Sequence, residues 1–348
     1  MREPERSVLH VLPHPGGGGE TYVDLLDAMP GYRFERMYLA PSPTPSLREL
    51  SRGVIDALRR GRGRDLLHVH GEVAAGHCLP LLATQPSVVT LHGLNLTRRL
   101  SGLRRRAAVL NLRAIVRAAD ATICVSEAEH ASVVAMARSA ARSAVVVHNG
   151  VHLPNPAIEL GRAETRERLG IAQSEPLGVW VGSLHAHKDP LAMVSAAERA
   201  SVTMLLVGDG PLRPQVEKSA RRCVRLLGHR DDVPRLLAAA DFFALTSRHE
   251  GLALSLLEAM AHGLPVVVTD LPENVEAIGD AGVAVPIGDE AALAAALLRL
   301  ATSEEERVAL GGRAHRRVAE RFSAARMIER TRVLYDEVLS GRSRVSVR

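Results

Sequence analysis

Apolar, β-branched runs alternate with helical patterns along nearly the whole chain, and the alternation runs twice. Residues 7–12, 66–70, 87–91, 121–125 and 144–148 read as strands, with helical patterns at 20–29, 46–60, 103–119 and 127–138. The rhythm restarts after residue 175. Strands are expected at 177–182, 202–207, 223–227, 242–246, 265–269 and 282–286, and helices at 190–200, 212–220, 233–240, 252–262 and 290–301. Such βαβ alternation calls for crossover connections and parallel sheets.

Two blocks of this kind divide 348 residues into domains of ordinary size, each able to bury a core. The boundary falls at Val151-His-Leu-Pro-Asn-Pro-Ala, where two prolines interrupt the pattern, followed by a charged segment holding Glu164, Arg166, Glu167 and Arg168. The expected division is a Rossmann-like domain at 1–155, a linker at 156–175 and a second Rossmann-like domain at 176–322. The last ~50 residues read as charged helix. Doubly wound sheets bind ligands beyond the C-terminal ends of their strands, and two that face each other leave a cleft.

The stretch Ser247-Arg-His-Glu-Gly-Leu-Ala-Leu-Ser-Leu-Leu-Glu-Ala-Met-Ala-His-Gly263 carries the densest chemistry. Glu250 falls in a loop and Glu258 about two turns into a helix that Gly263 ends and Pro265 keeps from resuming. At ~1.5 Å of rise per residue the two carboxylates stand roughly 12 Å apart along the axis. Between them lie the N–H groups of a helix start, which suit phosphate. Acids at both ends of an anion site suit a molecule with sugar, diphosphate and ribose in series. Two glutamates near a helix start can also merely oppose its dipole. Here Leu252, Leu254, Leu256, Leu257, Ala259 and Met260 make the helix apolar nearly all round, and a Glu on a buried helix needs partners.

Of 44 basic residues only Lys188 and Lys218 are lysine. A biased genome accounts for most of that imbalance. Lys188 follows the strand Leu177–Gly182 and the loop Ser183–His187, where a slim ammonium suits phosphate as a point charge. Other strand ends carry glycine or polar residues: Pro13-His14-Pro15-Gly16-Gly-Gly18-Gly19-Glu20, Thr90-Leu-His92-Gly93, Val147-His148-Asn149-Gly150, Gly208-Asp209-Gly210 and Gly228-His229-Arg230. Glu20 and Asn149 are candidates to face the cleft. No dinucleotide fingerprint is present: Thr21 or Arg213 stands where its third glycine belongs, and no Walker A pattern occurs.

No Asp-x-Asp pair and no Cys/His ligand spacing occurs, so no metal and no bound cofactor are expected. Cys78, Cys124 and Cys223 fit reduced thiols of a cytoplasmic protein, and the N-terminal residues lack a signal-peptide pattern. Arg98, Arg99, Arg104, Arg105, Arg106, Arg113 and Arg117 fall within twenty residues. With only 3% aromatic residues, nucleic acid is a poor partner. A solvated helix face explains the arginines, and peripheral contact with an anionic membrane on its inner face is the functional alternative.

On these residues the chain resembles the retaining glycosyltransferases of the GT-B fold, family four (glycosyl transferases group 1). The resemblance covers nearly the whole chain. It is densest from Val179 to Val285, where Glu250-Gly251 and Leu256-Leu-Glu-Ala-Met-Ala-His-Gly-Leu-Pro-Val match the paired-glutamate motif. Gly18, Gly19 and Glu20 resemble the N-terminal glycine loop of that family, Asn149-Gly150-Val151 its entry to the linker, and Val181-Gly182…Lys188 its phosphate loop. The resemblance implies two facing Rossmann-like domains with an interdomain cleft, and a final helix, within about 323–348, that crosses back to the first domain. It implies that Glu258 binds the donor ribose and Glu250 the hydroxyls of the transferred sugar. Lys188 and the amides of Gly251, Leu252, Leu254 and Ser255 would hold the diphosphate, and His92 would touch the sugar from the opposite domain. The family usually has Arg directly after the glycine at 182. Ser183 stands here, which removes a charge that Arg230, Arg248 or His187 would have to replace. The donor is then a nucleotide-diphosphate sugar and the acceptor a glycan, lipid-linked sugar or small metabolite. A non-hydrolysing nucleotide-sugar epimerase and a non-catalytic nucleotide-sugar-binding protein are the rivals.

Overall fold

The computed structural model describes residues 5–42, 45–138, 143–154 and 161–341. The chain forms two compact units. The first runs to Gly150 and resumes at Ala324; the second spans Val151–Ser323.

Among the described residues the first unit holds six strands: β1 (Arg6–Leu12), β2 (Tyr32–Tyr38), β3 (Leu66–His70), β4 (Ser87–Thr90), β5 (Ala121–Cys124) and β6 (Ala144–Val146). Their order is β2-β1-β3-β4-β5-β6, with every pair parallel. The inner strands are buried along their length, as strands covered on both faces must be. Alternation splits them between two cores. Leu9, Val11, Leu67, Val69 and Val89 pack with Leu112 and Ile115 of the helix Gly102–Ala118. Val8, Leu66, Val88 and Ile123 pack on the opposite face with Tyr22 and Leu26 of the helix Gly18–Leu26, and with Met327, Leu334 and Tyr335 of the helix Ala324–Leu339.

Strand β2 is absent from the sequence-based expectation. It forms the edge of the sheet, only Tyr32 and Met37 of it are buried, and Arg33, Glu35 and Arg36 break its apolar run. The helices Glu72–His77, Leu79–Leu82 and Asn95–Arg99 also lie outside that expectation, being too short to show a period.

The second unit repeats the plan with β7 (Leu177–Val181), β8 (Thr203–Val207), β9 (Val224–Gly228), β10 (Phe242–Leu245), β11 (Val266–Thr269) and β12 (Gly282–Val285). The order is β12-β11-β10-β7-β8-β9, all parallel. Succession along the sheet therefore reverses between β7 and β10, where open α/β sheets take their ligands. In the first unit the reversal lies between β1 and β3.

The segment read as a linker begins at 156, and residues 155–160 lie outside the described residues. Its remainder is folded into the second unit. The helix Arg162–Arg168 packs on the helix Val233–Ala239. Arg166 is fully buried because its guanidinium donates to the carbonyls of Ala172, Glu175 and Ala239 and pairs with Asp241. Charge at that position marks an anchored helix.

Candidate functional site

In the second unit, the loops after β7 and β10 meet at the strand reversal. The loop after β7 is shaped by close backbone approach. A Cβ on Gly208 would stand 1.9 Å from the Gly182 carbonyl oxygen, and Gly208 has φ +134°, so only glycine fits. Asp189 takes a left-handed conformation (φ 47°, ψ 55°), which a short polar side chain tolerates, and its carboxylate caps the helix Pro190–Ala200. The single tryptophan, Trp180, donates from Nε1 to Thr246 Oγ1 at 3.2 Å. The Thr246 hydroxyl lies 2.9 Å from the carbonyl oxygens of both Lys188 and Asp189. A buried indole thus ties the end of β10 to the turn that carries Lys188.

Lys188 Nζ lies 2.5 Å from Glu250 Oε1, with the two side chains 16% and 8% exposed. Ser247 Oγ donates to the same oxygen. An ammonium has three donors, so this pairing leaves two for other acceptors. The helix that follows spans Leu254–Ala261, and no side chain caps its first turn. Gly251, Leu252 and Ala253 precede it in non-helical, buried backbone. Glu258 therefore sits one turn into the helix and not two, and a 12 Å axial separation, which assumed helix from Glu250 onward, does not apply. The helix ends as its sequence implies. The N–H of Leu264 donates to the Ala259 carbonyl and that of Gly263 (φ +70°) to Met260, a Schellman closure.

Glu258 is half-buried, and its carboxylate has no hydrogen-bond or ionic partner among the described residues. Burial raises its pKa above the usual carboxylate range. A carboxylate left in that condition gains from any hydroxyl donor that reaches it. Leu254 and Ser255 are half-buried at the helix start, and Ser183 is half-buried in the loop after β7.

The two arginines that could replace the missing charge are engaged. Arg230 forks onto Asp232 with contacts of 2.8 and 2.7 Å. Arg248 pairs through Nε with Asp189 at 2.7 Å, and its backbone N–H donates to the His187 carbonyl. Asp189, Thr246 and Ser247 belong to this site, and sequence reasoning did not single them out. The signal was present in the lone tryptophan and in the Asp-Pro helix start at 189–190.

In the first unit, the glycine loop after β1 turns through Gly16 and Gly17, both at φ +86°, and Gly18 and Gly19 open the helix Gly18–Leu26. Glu20 folds back across the loop. It accepts the Gly16 N–H at 2.6 Å and the Tyr38 hydroxyl, and these bonds, Tyr38 first, hold its pKa below the usual value. Asn149 is buried just beyond β6. His92 lies two residues beyond β4 with φ 57°, in a turn anchored by a 2.5 Å hydrogen bond from the Gly93 N–H to Glu129. Burial lowers the His92 pKa to about 4.

His92 does not stand alone. His10, His68 and His70 bring ring nitrogens within 4.8 Å of one another in the buried layer behind it. Sequence spacing hid this cluster, because β1 and β3 each supply part of it. The arginines Arg98 to Arg117 lie on the short helix Asn95–Arg99 and the helix Gly102–Ala118, where residues 101–107 are all exposed and Leu103 and Leu110 are 79% and 62% exposed. Among the described residues no helix is long and apolar enough to cross a membrane.

Residues 9–154 match the domain family described as Glycosyltransferase Family 4, and residues 175–303 match Glycosyl transferases group 1. Among curated proteins, the chain is 30% identical to the N-acetyl-alpha-D-glucosaminyl L-malate synthase of Bacillus anthracis over 51% of its own length and 49% of that protein. It is 32% identical to the UDP-Gal:alpha-D-GlcNAc-diphosphoundecaprenol alpha-1,3-galactosyltransferase of Escherichia coli over 37% of each. The chain thus spans about half or less of these relatives. Among solved structures, the sucrose-phosphate synthase of Thermosynechococcus elongatus superposes with a TM-score of 0.81 at 20% identity, over 97% of this chain and 100% of that one. Anabaena HepE in complex with UDP-glucose gives 0.79 at 22% identity, over 96% and 99%. At these identities the structures speak for the fold, which is GT-B. Two family matches that together reach from residue 9 to residue 303, on that fold, make this chain a member of the GT4-type glycosyltransferases.

Proposed function

We propose that the chain transfers a sugar from a nucleotide-diphosphate-sugar donor to an acceptor hydroxyl, with retention at the anomeric carbon. One observation carries the reading. Lys188 and Glu250 converge from the two loops that flank the β7/β10 reversal, directly before a helix start that no side chain caps. Diphosphate suits the backbone N–H groups of Gly251, Leu252, Leu254 and Ser255 together with the Lys188 ammonium. Glu258, desolvated and without a partner among the described residues, suits the ribose hydroxyls, and Glu250 those of the sugar. Ser183, Arg230, Gly18 and Gly19 complete the proposed donor surroundings, with Glu20 and Asn149 as further candidates and His92 as the contact to the sugar.

Departure of the diphosphate leaves positive charge on the sugar ring. Its own phosphate oxygen can then take the acceptor proton on the same face. That accounts for a site with cation and dipoles for the leaving group and no separate base. Lys188 and helix amides carry the leaving charge in this scheme, without a metal. Buried, un-ionised Cys78 and Cys124 suit the reducing cytoplasm.

Uridine donors come first, since UDP or a UDP-sugar is named for two of the similar proteins. In a thermal-shift panel of nucleoside diphosphates, the preferred base should raise the melting temperature, and Glu258→Ala and Lys188→Ala should each weaken that shift. Unchanged shifts in both variants would remove the site. An epimerase would convert donor without acceptor, and a binding protein would bind it without turnover.

The acceptor is a glycan, a lipid-linked sugar or a small metabolite. The exposed arginines with Leu103 and Leu110 favour one presented at an anionic membrane surface. Flotation with vesicles containing anionic lipid should carry the protein upward, and neutral vesicles or Arg104→Glu with Arg105→Glu should not. Equal flotation in all cases would refute the membrane contact.

A further inference from the structure

The histidine cluster of the first unit takes no part in donor binding as proposed above. His10 of β1 stands opposite His68 of β3 in register, and alternation puts His70 on the same face. The rings are linked. His10 Nδ1 lies 2.8 Å from His70 Nε2, and His70 Nδ1 lies 3.1 Å from His92 Nε2. His68 branches off, with Nδ1 at 2.5 Å from the Tyr335 hydroxyl and Nε2 at 2.7 Å from Thr90 Oγ1. A cation among these rings would have to break one of the two bonds made by His70 and displace a hydroxyl from His68, with no anionic ligand in the group. The hydrogen-bonded chain is the better account of the geometry.

A neutral imidazole carries one N–H and one lone pair. Burial lowers the pKa of His10 to about 3 and those of His68 and His70 well below the usual value, so the rings are neutral near pH 7. His70, bonded at both nitrogens, must donate to one neighbour and accept from the other. The chain therefore has only two states. Inward, His92 donates to His70, His70 to His10, and His10 keeps an N–H at Nε2, a buried atom with no partner among the described residues. Outward, His10 donates to His70 and His70 to His92, and only a lone pair is left at His10 Nε2. Orphaned buried N–H groups are the rarer of the two defects.

We propose that His10 and His70 are positioning residues that run this chain outward and hold His92 as the Nδ1–H tautomer, so that its ring offers a hydrogen-bond donor to an oxygen of the sugar or its phosphate and not a base. His92 Nδ1 has no hydrogen bond among the described residues, and Tyr22 meets the ring edge-on at 5.0 Å, which fixes its plane. The consequence for turnover rests on the sugar contact proposed for His92; the tautomer does not.

Long-range proton–nitrogen correlation on histidine-labelled protein at neutral pH reads the tautomer directly, with His92→Gln assigning the signal. His92 should show a protonated Nδ1 and a bare Nε2. His10→Asn, whose amide keeps a donor toward His70, should preserve that pattern. His10→Leu should release it into a mixture, with kcat falling about three- to tenfold at unchanged donor KM, the effect of one lost hydrogen bond. Nε2–H on His92 in the unaltered protein, or an unchanged tautomer in His10→Leu, overturns the proposal, as does stoichiometric zinc perturbing the His10, His68 and His70 signals. If the tautomer responds as expected and kcat does not, the relay stands and the sugar contact of His92 falls.

Discussion

At the scale of single residues, buried ionisable groups decide how this protein answers pH. The folded pKa values of His10, His68, His70 and His92 are all depressed, chiefly by burial, from an unfolded value near 6.5. Below 6.5 the unfolded chain binds protons that the folded chain refuses, so their contribution is complete above that pH and is lost as pH falls beneath it. Glu72 and Glu258, raised by burial, pull the opposite way at the low end of the same window. Urea denaturation between pH 7.5 and about 5 should therefore show stability falling with acid, more steeply than in His10→Leu, which lacks one of the four groups. Equal slopes would mean that these rings titrate normally. Residue-level legibility was uneven. The paired glutamates and Lys188 stood out because their chemistry is local to a motif. The histidines did not, because what links His10 to His70 is the register of two strands more than fifty positions apart in the chain.

Among elements, the helix that carries Glu258 is held at its far end by a backbone contact. A Cβ on Gly311, in the helix Glu304–Arg321, would stand 2.0 Å from the Gly263 carbonyl oxygen, and its neighbour Gly312 has only the end of the Arg316 side chain at 3.6 Å. Gly311→Ala must push the two helices apart and should cost about 1–3 kcal/mol in urea denaturation. Gly312→Ala removes unfolded-state freedom without a clash and should be neutral or stabilising by about 0.4–1 kcal/mol. Equal effects at the two positions would show that the contact is not tight. The long helices and buried strands were legible because packing on both faces enforces an apolar run or a period. The edge strand β2 and the helix Arg162–Arg168 were not. Solvent on one side of the strand, and carbonyls around Arg166, let charge stand where a pattern search expects none.

For the whole molecule, the sequence carried the two-sheet plan because eleven of the twelve strands among the described residues announce themselves as apolar runs. What it lacked was the strand order, which depends on crossovers between distant segments. That order places Lys188 beside Glu250 and the glycine loop after β1 beside His70. The excursion from Gly150 to Ala324 has a further effect. Val151 pairs with Ser323, so the chain departs and returns at one spot, and the helix Ala324–Leu339 then supplies Tyr335 to His68 and Met327 and Leu334 to the core against β1 and β3. On the ribosome, the second unit is therefore translated in full before the first can close. Until residues 324–339 emerge, a sheet whose strands are already made lacks one of the helices that cover its histidine face, a window in which chaperones have the most to cover.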